Sequence, residues 1–199
     1  MNCQFIDFKL NKYILKALNN LEYKTPTKVQ DKVIPILLNK EDIVVQSKTG
    51  SGKTASFAIP LCESIDIDKG IQALVIVPTR ELSLQVSEEI SNIGRLKKIR
   101  SISIYGKQPI KEQIISLKQR VHIVVATPGR IIDHIQRGTI NLDKLNYLII
   151  DEADKMLNKG FIEQIDFIFK NSKSKKAIGL FSATIDKEIE YVYKKYMNN

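Results

Sequence analysis

The chain has 199 residues, of which 43% are hydrophobic and 27% charged, and its formal net charge is +9. These proportions are typical of a soluble globular domain and exclude a disordered or collagen-like chain. No apolar run approaches the roughly 20 residues that a membrane-spanning helix needs, so we expect no membrane partner. Cys3 and Cys62 lack metal-ligand spacing and are typical of reduced thiols, which favours a cytoplasmic protein.

Short apolar runs alternate along the chain with stretches of helical periodicity. Strands are predicted at 43–46, 73–77, 101–105, 122–126, 147–150 and 177–181. Between them, apolar residues recur three and four positions apart, as at Leu82, Val86, Ile90 and Ile93. This alternation predicts an α/β fold, a mostly parallel sheet with helices on both faces, in a single domain over residues 1–199.

The stretch from Ile43 to Thr54 has the layout of a loop that binds phosphate. A β-branched run enters a turn in which Gly50 and Gly52 let successive N–H groups point at one anion. A helix beginning near Lys53 adds the positive end of its dipole. The Lys53 ammonium can reach the outer phosphates, and the Thr54 hydroxyl can ligate Mg²⁺. The alternative is a flexible turn with a solvated lysine; the flanking strand and helix favour a nucleoside triphosphate site.

Two adjacent acids follow the apolar strand at 147–150. Asp151, at the strand end, suits Mg²⁺ held through water, and Glu152 suits a base that orients or deprotonates an attacking water. The alternative is a helix cap, in which Asp154 would cap a helix over 155–169. That cap would leave the first two roles intact.

Much of the net charge lies in one segment. Residues Arg95 to Arg120 include eight bases and one acid, Glu112. A nucleic-acid backbone is one partner for such a segment. A solvated helix and loop face is the other interpretation, and composition alone does not separate the two.

Three groups of residues resemble the defining motifs of the DEAD-box RNA helicases: Asp151-Glu152-Ala153-Asp154, the loop 47–54, and Ser182-Ala183-Thr184. Further motifs fall in the family's order. Residues 78–82 with Gln85 resemble motif Ia, residues 127–130 resemble motif Ib, and residues 26–30 resemble the Q motif, whose upstream aromatic matches Phe5. The Q motif then occupies residues 5–30, and the resemblance covers essentially the whole chain.

The resemblance implies a RecA-like fold with ATP and Mg²⁺ as cofactors. It implies catalytic roles for Lys53, Asp151 and Glu152, with Mg²⁺ held by Thr54 and Asp151 partly through water. The implied ATP-binding residues are Phe5, Tyr23, Gln30, Ser47, Lys48, Thr49, Gly50, Ser51, Gly52, Lys53 and Thr54. The implied RNA-binding residues are Pro78, Thr79, Arg80, Gly106, Thr127, Pro128, Gly129 and Arg130. Asp154, Ser182 and Thr184 would couple hydrolysis to unwinding.

Several of these residues also have a purely structural interpretation. Thr27 and Gln30 have the spacing of a helix capping box, whereas the resemblance has Gln30 reading adenine with its paired amide donor and acceptor. Phe5 is either a core residue or the ring that stacks on adenine. The RNA-binding residues could be ordinary turn residues, and Ser182 with Thr184 a hydrogen-bonded pair at a strand end.

The chain departs from the family pattern at three places. Glu22 replaces the glycine that opens the Q motif, Ser47-Lys48 replaces a more common Ala-Gln or Ala-Glu pair, and Gly106-Lys107 replaces Gly-Gly. Gly106-Lys107 and residues 161–164 resemble the bacterial DbpA/YxiN branch. In that branch the helicase core is joined to a C-terminal RNA-binding domain and acts on large-subunit ribosomal RNA.

The resemblance therefore implies the ATP-binding half of an ATP-dependent RNA helicase that opens short duplexes, with a role in ribosome assembly. No residues after Thr184 resemble the arginine-rich motif of a second RecA-like domain, so we expect that domain to lie outside these 199 residues. The expected partners are RNA and that second domain, in a monomer. Two alternatives stay open: an ATP-responsive RNA clamp that never unwinds, and a DNA helicase domain.

Overall fold

The computed structural model describes residues 3–48, 50–158 and 160–197. Its strands are β1 (Ile43–Gln46), β2 (Ala73–Ile76), β3 (Ser101–Ile104), β4 (Ile123–Ala126), β5 (Tyr147–Ile150) and β6 (Ala177–Ser182). They form one sheet in the order β1-β6-β5-β2-β4-β3, and every neighbouring pair is parallel. The predicted α/β class is confirmed, and each predicted strand lies within one residue of its observed bounds. The sheet is wholly rather than mostly parallel over the described strands.

The helices follow the predicted alternation. They are α1 (Lys12–Asn20), α2 (Lys28–Leu38), α3 (Lys53–Ser64), α4 (Arg80–Gly94), α5 (Ile110–Leu117), α6 (Pro128–Gln136), α7 (Ala153–Leu157), α8 (Ile162–Lys170) and α9 (Lys187–Tyr196). Short 3₁₀ helices occupy Phe5–Phe8 and Arg95–Lys97. No helix within the described ranges is both long and apolar enough to cross a membrane.

The sheet separates two apolar cores. Along β2, Ala73 and Val75 belong to the core under α1 to α4, whereas Leu74 and Ile76 belong to the core under α6 to α9. All four residues are fully buried. Because helices cover both faces, the strand carries no polar face, and it reads as a continuous apolar run in the sequence.

The chain after Asp151 forms two helices rather than one. α7 ends at Leu157, and α8 begins at Ile162. The alternative in which Asp154 caps a single helix over 155–169 is therefore wrong. The residue that precedes α7 is Glu152, which has a left-handed backbone with φ 51°.

Two departures from the family pattern lie at left-handed backbone positions. Glu22, at the end of α1, has φ 61°, and Lys107, after β3, has φ 65°. Glycine adopts this conformation without the steric cost that a Cβ adds. This explains why the family pattern has glycine at these two positions. In this chain Glu22 and Lys107 adopt the same left-handed conformation.

Candidate functional site

The predicted functional residues meet at one edge of the sheet. Each of the six strands ends, at its carboxyl end, in a segment that contains predicted site residues: 47–54, 78–80, 106, 127–130, 151–154 and 182–184. In a parallel α/β sheet this edge is where ligands bind. The strand order places the ends of β1, β6 and β5 on one half of the edge, and those of β2, β4 and β3 on the other.

The predicted phosphate-binding loop is held closed by its own hydrogen bonds. The Ser47 and Ser51 hydroxyls are hydrogen-bonded to each other, and Ser51 Oγ also donates to the Lys48 carbonyl at 2.8 Å. Gly50 and Gly52 have φ 77° and 84°, as their predicted role in a tight turn requires. Ser47, which stands where a first glycine is usual, thus takes part in closing the loop. The prediction for Thr49 lies outside the described residues.

Gln30 forms the capping box and also contacts the phosphate loop. Its Oε1 accepts a hydrogen bond from the Thr27 N–H at 2.9 Å, and its Nε2 donates to the Gly52 carbonyl at 3.2 Å. A Cβ on Gly52 would lie 2.6 Å from that Nε2. The predicted capping box is therefore present, and recognition of adenine by Gln30 stays a prediction. A cleft of about 500 Å³ opens beside Gln30 and Tyr23 and extends to Gly50 and Gly52.

Phe5 lies in the apolar core. It is 5% exposed and packs edge-to-face against Tyr23, with ring centroids 6.2 Å apart. This position agrees with the interpretation of Phe5 as a core residue, and stacking on adenine stays a prediction. The Tyr23 hydroxyl donates to Glu89 Oε1 at 3.0 Å, and burial, followed by the nearby Glu89 charge, raises the pKa of Tyr23 to about 12.

The groups predicted for phosphate and metal binding converge on a second cleft, of about 440 Å³. Lys53, Thr54, Asp151 and Glu152 line it together with Gly50 and Gly52. Lys53 and Asp151 are 7% and 3% exposed. Burial raises the pKa of Asp151 to about 6, although the Lys53 charge and the Glu152 N–H oppose this rise. A cation in the cleft would stabilise the charged form of such a poorly solvated carboxylate.

Glu152 has its predicted position beside Asp151. Its side chain is 15% exposed, and its carboxylate forms an ion pair with Lys155 Nζ at 2.9 Å. The left-handed backbone of Glu152 is the kind of strained conformation that persists where surrounding contacts impose it. The Glu152 N–H donates to Asp151 Oδ1 at 2.9 Å, which orients the Asp151 carboxylate.

Asp154 joins the acidic segment to the end of β6. Its Oδ2 accepts hydrogen bonds from the N–H groups of Ala183 and Thr184, at 3.1 and 3.2 Å, and from the Thr184 hydroxyl at 3.3 Å. Burial favours the neutral acid, but these bonds and those from Lys155 and Ser182 outweigh it and lower the pKa of Asp154. The contact on which coupling would depend is therefore present, and the coupling role itself stays a prediction.

On the other half of the edge, Arg80 lies exposed over an aromatic ring. Its guanidinium carbon is 4.9 Å from the centroid of the Tyr105 ring, a cation–π contact that holds the charge near solvent. Thr79 caps α4 by accepting a hydrogen bond from the Leu82 N–H at 3.2 Å, so its hydroxyl has a structural role as well. Pro78 precedes it, half-buried.

Arg130 is less free than the sequence suggests. Its side chain is 14% exposed, and its Nη1 donates to the Gln108 carbonyl at 2.9 Å and to Gln113 Oε1 at 3.0 Å. Gln113 is buried and donates in turn to the Tyr105 carbonyl at 2.9 Å. The residue therefore holds the loop after β3, and a phosphate contact by Arg130 stays a prediction. Gly106 and Gly129 are exposed, and Thr127 with Pro128 begins α6.

The basic segment 95–120 does not form one surface at this edge. It begins before β3, passes through Lys107 and Lys111 at the carboxyl end, and returns along α5 to Lys118 and Arg120 before β4. Lys97 Nζ is occupied, since it donates to the carbonyls of Cys62 and Glu63 at the end of α3. Lys107 and Lys111 are therefore the bases of this segment that the predicted RNA-binding edge includes.

Sequence reasoning missed Glu89 and Gln113, which contribute to the two halves of the edge. A signal for Glu89 was present, because it lies one helical turn after Gln85 on α4, and both line the cleft with Lys53. Gln113 gave no such signal, since its four hydrogen-bond partners lie on the loop after β3 and on α6: Tyr105, Gln108, Arg130 and His134.

Comparison with known proteins agrees with this geometry. The DEAD/DEAH box helicase model matches residues 27–192. The chain is 52% identical to the ATP-dependent RNA helicase DbpA of Bacillus subtilis (strain 168) over 98% of this chain and 41% of that protein. It is 44% identical to the DEAD-box ATP-dependent RNA helicase CshA of Geobacillus kaustophilus (strain HTA426), over 98% of this chain and 42% of that protein.

A solved structure gives the same result. The crystal structure of a DEAD box protein from the hyperthermophile Methanococcus jannaschii matches with a TM-score of 0.95 and 48% identity, over 98% of this chain and 54% of that chain. The chain thus spans between 41% and 54% of the lengths of these relatives. The higher identity to DbpA agrees with the predicted branch. From the family model, the sequence identities and the shared fold together, this chain belongs to the DEAD/DEAH box helicase family.

Proposed function

We propose that this domain binds ATP, Mg²⁺ and RNA as one half of an ATP-dependent RNA helicase. One observation carries the proposal: Lys53, Thr54, Asp151 and Glu152, from segments about 100 residues apart in sequence, line a single cleft beside a glycine turn. Such a set can contact phosphates, a metal and an attacking water at once. The names of the relatives DbpA and CshA support the same activity.

The donor set fits Mg²⁺. This ion prefers hard oxygen ligands and is usually held by one or two carboxylates together with substrate phosphates. Asp151 supplies a buried carboxylate whose pKa burial raises, and Thr54 supplies a hydroxyl in the same cleft. When bound, the ion would neutralise charge that develops on the phosphates.

The chain's own residues would then have separate roles. Lys53 holds the outer phosphates, and Glu152 orients the water that attacks the terminal phosphate. Asp154 holds the segment Ser182–Thr184 next to these groups, so a shift of the acids can move that segment. We further propose that an arginine from a second RecA-like domain completes the site, as the resemblance implies.

RNA would lie along the other half of the edge. Exposed backbone at Gly106 and Gly129, with Arg80 and Lys107, suits contacts to phosphate and sugar. Such contacts give little sequence specificity and can distinguish RNA from DNA through the 2′-hydroxyl. A ribosomal RNA target in the cytoplasm is the finer proposal, and it rests on the likeness to the DbpA branch.

The test is strand release from a short RNA duplex by the full-length protein. We expect release that requires ATP, and a Glu152→Gln variant that binds RNA with ATP but does not turn ATP over. ATP-dependent binding without release by the unaltered protein would instead support the clamp, and equal release from a DNA duplex would support a DNA helicase. For the 199-residue domain alone we expect ATP binding, with phosphate release that RNA does not stimulate above the Glu152→Gln background.

A further inference from the structure

Glu89 has no role in the proposed function, yet its carboxylate lies inside the phosphate cleft. It is half-buried on α4 and lines the cleft with Lys53, Thr54 and Asp151. Burial raises the pKa of Glu89, and hydrogen bonds from the Tyr23 and Thr54 hydroxyls oppose that rise. Tyr23 Oη lies 3.0 Å from Glu89 Oε1. The carboxylate thus accepts the Tyr23 hydroxyl, from the Q-motif side of the site, and shares the cleft with the Thr54 hydroxyl on the metal side.

The direction of the Thr54 hydrogen bond matters for a metal. A hydroxyl has one proton to donate and two lone pairs to offer. If the Thr54 proton points at Glu89, the lone pairs of Oγ1 are left for a cation in the cleft. Outer groups that orient a metal ligand in this way commonly change metal affinity 10- to 100-fold when they are removed.

Tyr23 also holds Glu89 in place. Its ring packs against the buried Phe5, and its hydroxyl donates a hydrogen bond to Glu89. Glu89 sits four residues after Gln85, so its position is also set by the helix that Thr79 caps. The position of the Glu89 carboxylate is therefore set by the Tyr23 hydroxyl and by the capped helix α4.

We propose that Glu89 is a positioning residue for Mg²⁺: it accepts the Thr54 hydroxyl proton, aims the Thr54 oxygen at the ion, and is itself held by Tyr23. This inference rests on the proposed Mg²⁺–ATP site. It assigns Glu89 no contact with the ion or with ATP. It also links the Q-motif segment to the metal side of the site through a single side chain.

The test is a Mg²⁺ titration of the binding of a non-hydrolysable ATP analogue to the 199-residue domain. The variants are Glu89→Gln, Tyr23→Phe and the matched control Glu88→Gln, an exposed neighbour with the same change of charge. We expect Glu89→Gln to raise the Mg²⁺ concentration at half-saturation roughly 10- to 100-fold. Tyr23→Phe should raise it by a smaller factor, and Glu88→Gln should leave it unchanged. Affinity in EDTA should stay within about twofold for Glu89→Gln and Glu88→Gln.

Two results would overturn the inference while leaving the proposed function in place. One is an unchanged Mg²⁺ requirement in Glu89→Gln. The other is an equal loss of affinity with and without Mg²⁺, which would make Glu89 a purely structural residue. Thermal melts identify any variant that fails to fold, and Tyr23→Phe, which deletes one hydroxyl, then decides the case by itself. If the unaltered domain binds the analogue equally with and without Mg²⁺, the proposed metal site fails, and the inference fails with it.

Discussion

The two halves of the binding edge differ in how their polar groups are held. On the half formed by β1, β6 and β5, charged groups are buried and face each other, as Lys53 and Asp151 do. On the half formed by β2, β4 and β3, the charges of Arg80 and Lys107 are exposed, and the buried polar groups include a neutral amide, Gln113. The first half suits a compact, highly charged ligand that replaces water completely. The second suits a long ligand whose backbone stays in contact with solvent.

The largest expected effect concerns the buried charge. In the metal-free domain Asp151→Asn should stabilise the fold by about 3 kcal/mol above pH 6, since a pKa difference of about two units between the folded and unfolded states has that value. The amide oxygen can still accept the Glu152 N–H. The folded-state pKa is the higher one, so the carboxylate's destabilisation appears as pH rises from about 4 to about 6 and is absent below that range.

Thermal melts in EDTA across this pH range measure the effect. Asp143→Asn, at an exposed position, is the control and should change little. If Asp151→Asn melts no higher than the unaltered domain at pH 7, the ionised Asp151 carboxylate does not destabilise the fold. The contrast between the two halves then loses its main support.

The next effect concerns the buried amide. Gln113→Ala leaves Arg130 Nη1 with one fewer partner and His134 Nε2 without its amide partner, so the fold should lose about 1–3 kcal/mol. RNA binding should weaken because the loop after β3 is released, whereas ATP binding should stay within about twofold. Gln119→Ala, where an exposed glutamine accepts from Arg100, is the control. Titrations with RNA and with ATP are the measurement; parallel losses of both affinities would mean that the two halves are not independent.

A smaller effect separates two roles of Gln30. Replacing Gln30 with alanine should weaken ATP roughly tenfold, about 1.4 kcal/mol, and leave GTP nearly unchanged if the amide reads adenine. Because Gln30 also contacts the Gly52 carbonyl, the variant can instead loosen the phosphate loop. Calorimetry with both nucleotides decides between them, since a loosened loop would weaken ATP and GTP alike.

The smallest effect tests where RNA runs. Lys107→Ala should lower the salt dependence of single-stranded RNA binding by about 0.7 in the slope of log K against log salt, the value of one phosphate contact. Lys118→Ala removes the same charge at the far end of α5 and should leave the slope unchanged. Titrations of two unrelated strands at several salt concentrations measure it. Equal slopes in both variants would contradict this and would mean that RNA contacts both ends of α5.

The sequence predicted the strands and the edge well because both are local signals. An apolar run of four to six residues and the polar residues after it can be read directly, and a parallel sheet brings those ends together. The sequence did not predict which side chains are already engaged. Lys97, which bonds carbonyls of α3, and Arg130, which bonds the loop after β3, look like free bases in a list of charges. Their partners lie 17 to 35 residues away and become neighbours only in the folded chain.

The close approach of Gly52 to Gln30 also constrains how such a chain can diverge. Any side chain at position 52 meets a left-handed backbone and the Gln30 amide together. A smaller residue at position 30 would relieve the contact but not the backbone strain, so the two positions cannot drift independently. A change at position 52 disturbs both the turn and the Gln30 amide, whereas a change at position 30 leaves the left-handed turn in place. The contact between Gln30 and Gly52 thus limits which substitutions the loop can accept.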